Sequence, residues 1–189
     1  MPTYVVGITG ASGTIYGIRA LEALRSVPDV TVHLVLTEQA RRTMQLESSH
    51  KPDDVVKLAH VVHDPGDVAA PISSGSFKTD GMLVAPCSIK TASAIAYSMN
   101  DNLLVRAADV MLKERRRLVL MVRETPLHLG HLRTLERLAE IGAIIVPPIP
   151  GFYSRPESVD DIINHSVGKA LDVLGVPNEL FRRWRGPAT

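Results

Sequence analysis

Short apolar runs rich in β-branched residues alternate along this chain with longer stretches in which apolar positions recur every three or four residues. Strand and helix periods interleaved in this way predict an α/β protein, a doubly wound and mainly parallel sheet with helices on both faces. Six strands are expected, over residues 4–9, 30–36, 60–63, 82–85, 117–122 and 143–146, the third having the weakest pattern. Polar caps mark the helix starts: Thr37 before 38–46, Ser88 before 91–97, and Ser158 with Asp161 three residues on as a capping box. A helical pattern over 16–24 follows the first strand, and the last helix runs to about Leu174, with Gly175 as its stop and Pro177 beyond. Segments 64–80 and 147–156, rich in Pro, Gly and Ser, are the expected functional loops. With no internal repeat in view, one domain is expected across residues 1–189, with 176–189 as a C-terminal tail.

Composition narrows the partners. A chain of 189 residues buries about 70% of its unfolded surface, so it needs no covalent staple. The lone Cys87 excludes an intramolecular disulfide, and with no cleavable signal segment in view the expected compartment is a reducing cytoplasm. Apolar runs such as 118–122 and 143–146 are strand-length, far short of the roughly 20 residues that cross a bilayer, so no membrane is expected. Twenty-one Lys and Arg against twenty Asp and Glu leave a net charge of +1. No global field then draws the chain to nucleic acid, and any anion must be met locally.

Two small-residue turns are the places to meet one. The first strand ends in Gly7-Ile8-Thr9-Gly10-Ala11-Ser12-Gly13 and passes directly into a helix. At the carboxyl edge of an α/β sheet such a turn lets a phosphate approach backbone amides and the helix N-terminus, although a tight turn without a ligand has the same composition. The order is not Gly-x-Gly-x-x-Gly, and Thr37 stands where an acid would close the second strand, so NAD is disfavoured. The fourth strand ends in Ala85-Pro86-Cys87-Ser88-Ile89-Lys90-Thr91-Ala92-Ser93, where Ser88 and Thr91 can donate to an anion or a ring edge and Lys90 adds charge. Cys87 has no partnered base in view and reads as a small buried residue. One ligand spanning both turns is the expectation.

The remaining polar clusters separate by position. Ile72-Ser73-Ser74-Gly75-Ser76 reads as a solvated turn, and Arg115 to Arg117 as a solvated helix end rather than a nucleic-acid patch. Arg123-Glu124 follows a buried strand at its carboxyl end, where a charged pair is costly unless each satisfies the other or a ligand. His128 and His131 have no third metal ligand at a recognisable spacing, and neither Asp53-Asp54 nor Asp160-Asp161 makes a magnesium signature, so no metal is expected. Phe152 and Tyr153 sit in a proline-stiffened loop of a chain with only 4% aromatic residues, which favours a ligand role. Lys169 and Trp184 are more open, as a snorkelling lysine and as a tail anchored on a neighbouring subunit.

In chain order, Gly10-Ala11-Ser12-Gly13, Pro86-Cys87-Ser88-Ile89-Lys90-Thr91, Arg106-Ala107-Ala108-Asp109 with Lys113-Glu114-Arg115, Arg123-Glu124-Thr125-Pro126 and Pro150-Gly151-Phe152-Tyr153 resemble the UbiX/Pad-type flavin prenyltransferases. The resemblance implies a flavodoxin-like, three-layer α/β/α fold. It also implies a metal-independent enzyme that alkylates reduced FMN with dimethylallyl monophosphate, making prenylated FMN for a UbiD-type decarboxylase. Homododecamers with sites between subunits are implied too. Residue by residue, Gly10, Ala11, Ser12, Thr37, Ser88, Ile89, Lys90, Thr91 and Arg123 would contact FMN. Tyr153 and Lys169, with Lys113 and Arg106, would hold the dimethylallyl phosphate, and Glu124, Ser12 and Lys113 would form the catalytic set. Glu124 is the expected proton-transfer group, with released phosphate as the competing base. Thr37 stands where the family often has Ser, and Lys169 where it often has Arg, which keeps the charge but loses the planar fork. Two other functions fit the same elements: an FMN-dependent cysteine decarboxylase, whose Asn-rich turn and Met-Asn motif are missing here, and a non-catalytic FMN-binding subunit.

Overall fold

The computed structural model describes residues 1–184 and 186; of the expected tail, Arg185 and residues 187–189 lie outside the described residues. Six strands, β1 (Thr3–Ile8), β2 (Thr31–Leu36), β3 (Val61–His63), β4 (Gly81–Cys87), β5 (Arg117–Val122) and β6 (Ile144–Ile145), form one sheet in the order β3-β2-β1-β4-β5-β6. Every pairing is parallel. The helices are α1 (Thr14–Arg25), α2 (Glu38–Glu47), the single-turn α3 (Pro52–Val55), α4 (Ile89–Ala96), α5 (Leu103–Lys113), α6 (Leu129–Glu140) and α7 (Val159–Leu174). None is long and apolar enough to cross a membrane.

Strand side chains alternate between two cores. Val6, Ile8, Leu34, Leu36 and Leu83 pack with Leu21 and Leu24 of α1, Met44 of α2 and Val167 and Leu171 of α7. Val5, Val35, Met82, Val84, Leu118 and Leu120 pack on the opposite face with Leu104 and Val105 of α5, Ile95 of α4 and Leu138 of α6. All seven residues of β4 are buried, which is why its sequence is a near-continuous apolar run. This three-layer arrangement is the flavodoxin-like fold: without the three-residue edge strand β3, the order is β2-β1-β4-β5-β6, which is 2-1-3-4-5 when the five are counted in chain order. Chain connections diverge to either side between β1 and β4, and ligands of open α/β sheets bind at the carboxyl ends flanking that point.

The caps form as the local sequence dictates. Thr37 accepts from Ala40 N, Ser88 from Thr91 N, and Ser158 and Asp161 complete a reciprocal capping box, while Gly175 takes the left-handed conformation after α7. Helix α4 begins at Ile89, two residues before its expected start, because the Ser88 cap already engages Thr91. Segment 64–80 runs back along α5 with a single 3-10 turn, Pro71–Ser73, and seats Ala70 and Ile72 in the core. The Arg115–Arg117 run corrects the expectation of a solvated end. Only Arg115 is free among the described contacts: Arg116 donates to the carbonyls of Gly75 (2.6 Å) and Phe77 (2.8 Å), and Arg117 to that of Leu174 (3.1 Å).

Candidate active site

Thr9 ties the two small-residue turns together. Its buried Oγ1 donates to Pro86 O at 2.7 Å and accepts from Ser88 N at 2.8 Å. Thr37 N donates to Ile8 O at 3.1 Å and Arg123 N to Cys87 O at 3.0 Å. These main-chain links put the ends of β2, β1, β4 and β5 in one row along the carboxyl edge, so Gly10–Ser12, Thr37, Ser88–Thr91 and Arg123 share that edge.

Three helix N-termini lie in this row; that of α2 is capped by Thr37, and those of α1 and α4 differ. Gly13, at φ 95°, turns the chain into α1 and offers no side-chain cap, a conformation suited to glycine. The acceptor comes from Glu47, the last residue of α2. Its Oε1 accepts from Gly13 N (2.8 Å), Thr14 N (2.7 Å) and Thr14 Oγ1 (2.8 Å), and its Oε2 from the Ser12 hydroxyl (2.9 Å). Burial pushes this carboxyl up, but the donors from Thr14, Ser12 and Gly13 outweigh it and hold it below the usual range. The end of α1 thus already faces an anion. At α4 the Ser88 hydroxyl donates to Thr91 Oγ1 (3.1 Å) and accepts from Thr91 N (3.2 Å). The amides of the first turn, at Ile89 and Lys90, have no intrahelical acceptor and point outward. Lys90 is exposed beside them.

A cavity of about 540 Å³ opens at the ends of β2 and β3, lined by Leu36, Thr37, Gln39, Arg41, His63 and Asn102 among others. His63 Nε2 lies 2.8 Å from Nδ1 of the buried His33. Burial lowers the pKa of both rings. Cys87 is fully buried and its thiol is pushed up to about 12 by desolvation, which removes it as a nucleophile.

Arg123 and Glu124 differ from expectation. The buried stretch of β5 ends at Val122, Arg123 is exposed, and Glu124 accepts only from Thr125 N at 3.0 Å. They form no ion pair with each other: past the buried end of the strand Arg123 is exposed and Glu124 half-buried. The Tyr16 phenol of α1, raised by burial, is partly offset by the charge of Arg123, which places the guanidinium near that ring.

Tyr153 and Lys169 meet around a residue that sequence reasoning missed. The Tyr153 hydroxyl lies 2.8 Å from Nε2 of His165, with the two rings edge to face. His165 is one helical turn before Lys169, and burial with the lysine charge holds its pKa below the usual value. Trp184 packs edge-on against Tyr153 at 6.0 Å. Lys113 stands apart. It ends α5 four residues before β5 begins, at the amino edge of the sheet, paired with Glu114. The 11 residues of α5 span about 16 Å at 1.5 Å per residue. Arg106, in an early turn of that helix, pairs with Asp109 (3.1 Å) and donates to Ser73 O (3.1 Å). Within one protomer the fold therefore joins Gly10, Ala11, Ser12, Thr37, Ser88–Thr91 and Arg123–Glu124 along one edge but leaves Lys113 at the other.

Open amides and hydroxyls at the switch point of a doubly wound sheet, with a cavity beside them, define a phosphate- or nucleotide-binding α/β protein. The flavoprotein family profile matches residues 2–171. The chain is 57% identical over 188 residues to the flavin prenyltransferase UbiX of Escherichia coli K12, covering 98% of this chain and 100% of that one. It aligns with the solved structure of AnUbiX (PadA1) in complex with FMN and dimethylallyl pyrophosphate at a TM-score of 0.96, with 48% identity over 99% of each chain. It aligns likewise with the dodecameric FMN-dependent UbiX-like decarboxylase of E. coli O157:H7, at a TM-score of 0.95 and 48% identity over 97% of this chain and 100% of that one. The chain belongs to the flavoprotein family and, within it, to the UbiX flavin prenyltransferases.

Proposed function

We propose that this chain transfers the dimethylallyl group of dimethylallyl monophosphate to N5 and C6 of reduced FMN without a metal, and that prenylated FMN passes to a UbiD-type decarboxylase. The observation that supports it most is the Thr9-linked pair of small-residue turns at the carboxyl edge of the sheet, in a chain 57% identical to a flavin prenyltransferase. The residues fit a phosphorylated flavin: α4 offers free first-turn amides with the Ser88 and Thr91 hydroxyls, and a cavity of about 540 Å³ adjoins Thr37. Reduced FMN would supply the two nucleophilic ring positions.

In this reading Gly10, Ala11, Ser12, Thr37, Ser88, Ile89, Lys90, Thr91 and Arg123 hold the flavin. Its phosphate falls to α4, since Glu47 already engages the end of α1. Tyr153 and Lys169 grip the donor phosphate, and the charge that builds on the departing oxygens is met by Lys113, Arg123, Lys169 and the Tyr153 hydroxyl. Glu124, held by a single backbone amide, is free to take the ring proton. Because Lys113 lies at the far edge of its own protomer, a second copy supplies it in a homo-oligomer of the dodecameric kind, while Arg106, nearer the start of α5, adds a further cation to the donor site. The whole chain acts as one FMN-binding domain in the cytoplasm, with 176–189 as its tail. The test is anaerobic incubation of the purified chain with reduced FMN and dimethylallyl monophosphate, followed by mass spectrometry of the extracted flavin. A gain of one five-carbon unit is expected; flavin of unchanged mass at millimolar donor would overturn the proposal.

A further inference from the structure

We infer that His165 is a positioning residue for Tyr153, donating its Nε2–H to the phenol oxygen so that the Tyr153 O–H proton is left for the donor phosphate. The inference rests on the proposed role of Tyr153 and adds the group that sets its hydrogen-bond polarity.

The geometry supplies a shared bond and an unequal choice of tautomer. Oη and Nε2 lie 2.8 Å apart, and the tautomer decides which of them donates. Nδ1 of His165 is buried and has no partner among the described residues. A proton on Nδ1 would strand a buried N–H and make Nε2 consume the only proton of the phenol. A proton on Nε2 leaves just a lone pair unmet at Nδ1, which is the smaller penalty, and frees the phenol to donate outward. Charging the ring is opposed by its burial and by the neighbouring Lys169. The phenol is suited to this division: Tyr153 keeps 49% of its surface exposed while its anchor, His165, keeps 7%.

Packing holds the imidazole in place. Phe181 meets it edge to face at 5.0 Å. Gly151 also abuts the ring: a Cβ there would sit 2.6 Å from Cε1 and 2.9 Å from Nε2 of His165. Glycine at that position lets the loop carrying Tyr153 rest directly on the ring.

The experiment measures the dimethylallyl monophosphate dependence of prenylation, FMN affinity and thermal unfolding for His165→Phe, His165→Leu, His165→Gln and Tyr153→Phe in the full-length chain. His165→Phe and His165→Leu are expected to raise the half-saturating donor concentration about tenfold with FMN affinity unchanged. His165→Gln, which keeps an N–H donor, should restore it to within about threefold. Adding His165→Leu to Tyr153→Phe should have no further effect. Unchanged donor saturation in both apolar variants, or a full effect of His165→Leu in the Tyr153→Phe background, would overturn the inference while leaving the role of Tyr153 standing. Unchanged saturation in Tyr153→Phe itself would overturn that role, and with it the function proposed for His165.

Discussion

Replacing Glu47 tests whether a carboxylate from α2 is the true cap of α1. Its two oxygens accept four hydrogen bonds, from Gly13 N, Thr14 N, Thr14 Oγ1 and Ser12 Oγ. Glu47→Gln retains an oxygen for the amides and loses the charge facing the helix dipole, a loss of about 0.5–1 kcal/mol at an exposed site. Glu47→Ala removes every acceptor at a helix end where Gly13 offers none, and should cost about 2 kcal/mol, the upper end for a lost N-cap. At this chain length that corresponds to a fall in Tm of roughly 4–8 °C for Ala and roughly 1–4 °C for Gln, compared at one protein concentration. The pH dependence has a definite sign. The folded carboxyl titrates below its ordinary value of 4.5, so its contribution is present above that value and fades as pH falls through the lower folded one. Urea unfolding of the wild type and Glu47→Gln should therefore differ at pH 7 and converge in acid below about pH 4.5. The same carboxylate orients the Ser12 hydroxyl, so both variants should also prenylate more slowly. Equal stability of Glu47→Ala and the wild type at neutral pH would refute the assignment.

Thr9→Val leaves Ser88 N without its acceptor, and should destabilise by about 2 kcal/mol while weakening FMN binding in a fluorescence titration. Cys87, with its thiol pushed up to about 12, should resist iodoacetamide at pH 8 in the folded protein, and Cys87→Ala should keep turnover within about threefold. Glu124→Gln is expected to bind FMN normally yet slow single-turnover prenylation about 100-fold; near-normal turnover would leave phosphate as the base. Lys113→Ala should likewise be slowed about 100-fold, and co-assembling it with Glu124→Gln should recover activity if each site draws on two copies; activity that never exceeds that of either variant would count against shared sites.

What the sequence made legible was local. The caps at Thr37, Ser88 and Ser158 each act on an amide three residues away, so a short window contains both partners. The buried central strands were readable because apolar runs bounded by turn residues have few alternatives. Helix α6 escaped notice for the opposite reason: it buries only Thr134 and Leu138 and is capped by His128, so neither its face nor its start carries a strong signal. Strand β3 was weak because Val61 and Val62 are exposed at the sheet edge. The Arg123–Glu124 pair was misjudged by extending the burial of β5 one residue past Val122.

The parts of the candidate site that stayed hidden are contacts at a distance. Glu47 reaches Ser12 across 35 positions and His165 reaches Tyr153 across 12, and neither acid nor imidazole belongs to a motif at its own place in the chain. Lys113 poses a different problem. Its sequence neighbourhood groups it with the other candidate residues, yet α5 ends just before β5 begins, at the amino edge of the sheet. A second copy that brings that end to the first edge, as proposed above, would reconcile motif with topology. Residue spacing does not say which edge of the sheet a side chain reaches, whereas the position of α5 ahead of β5 does.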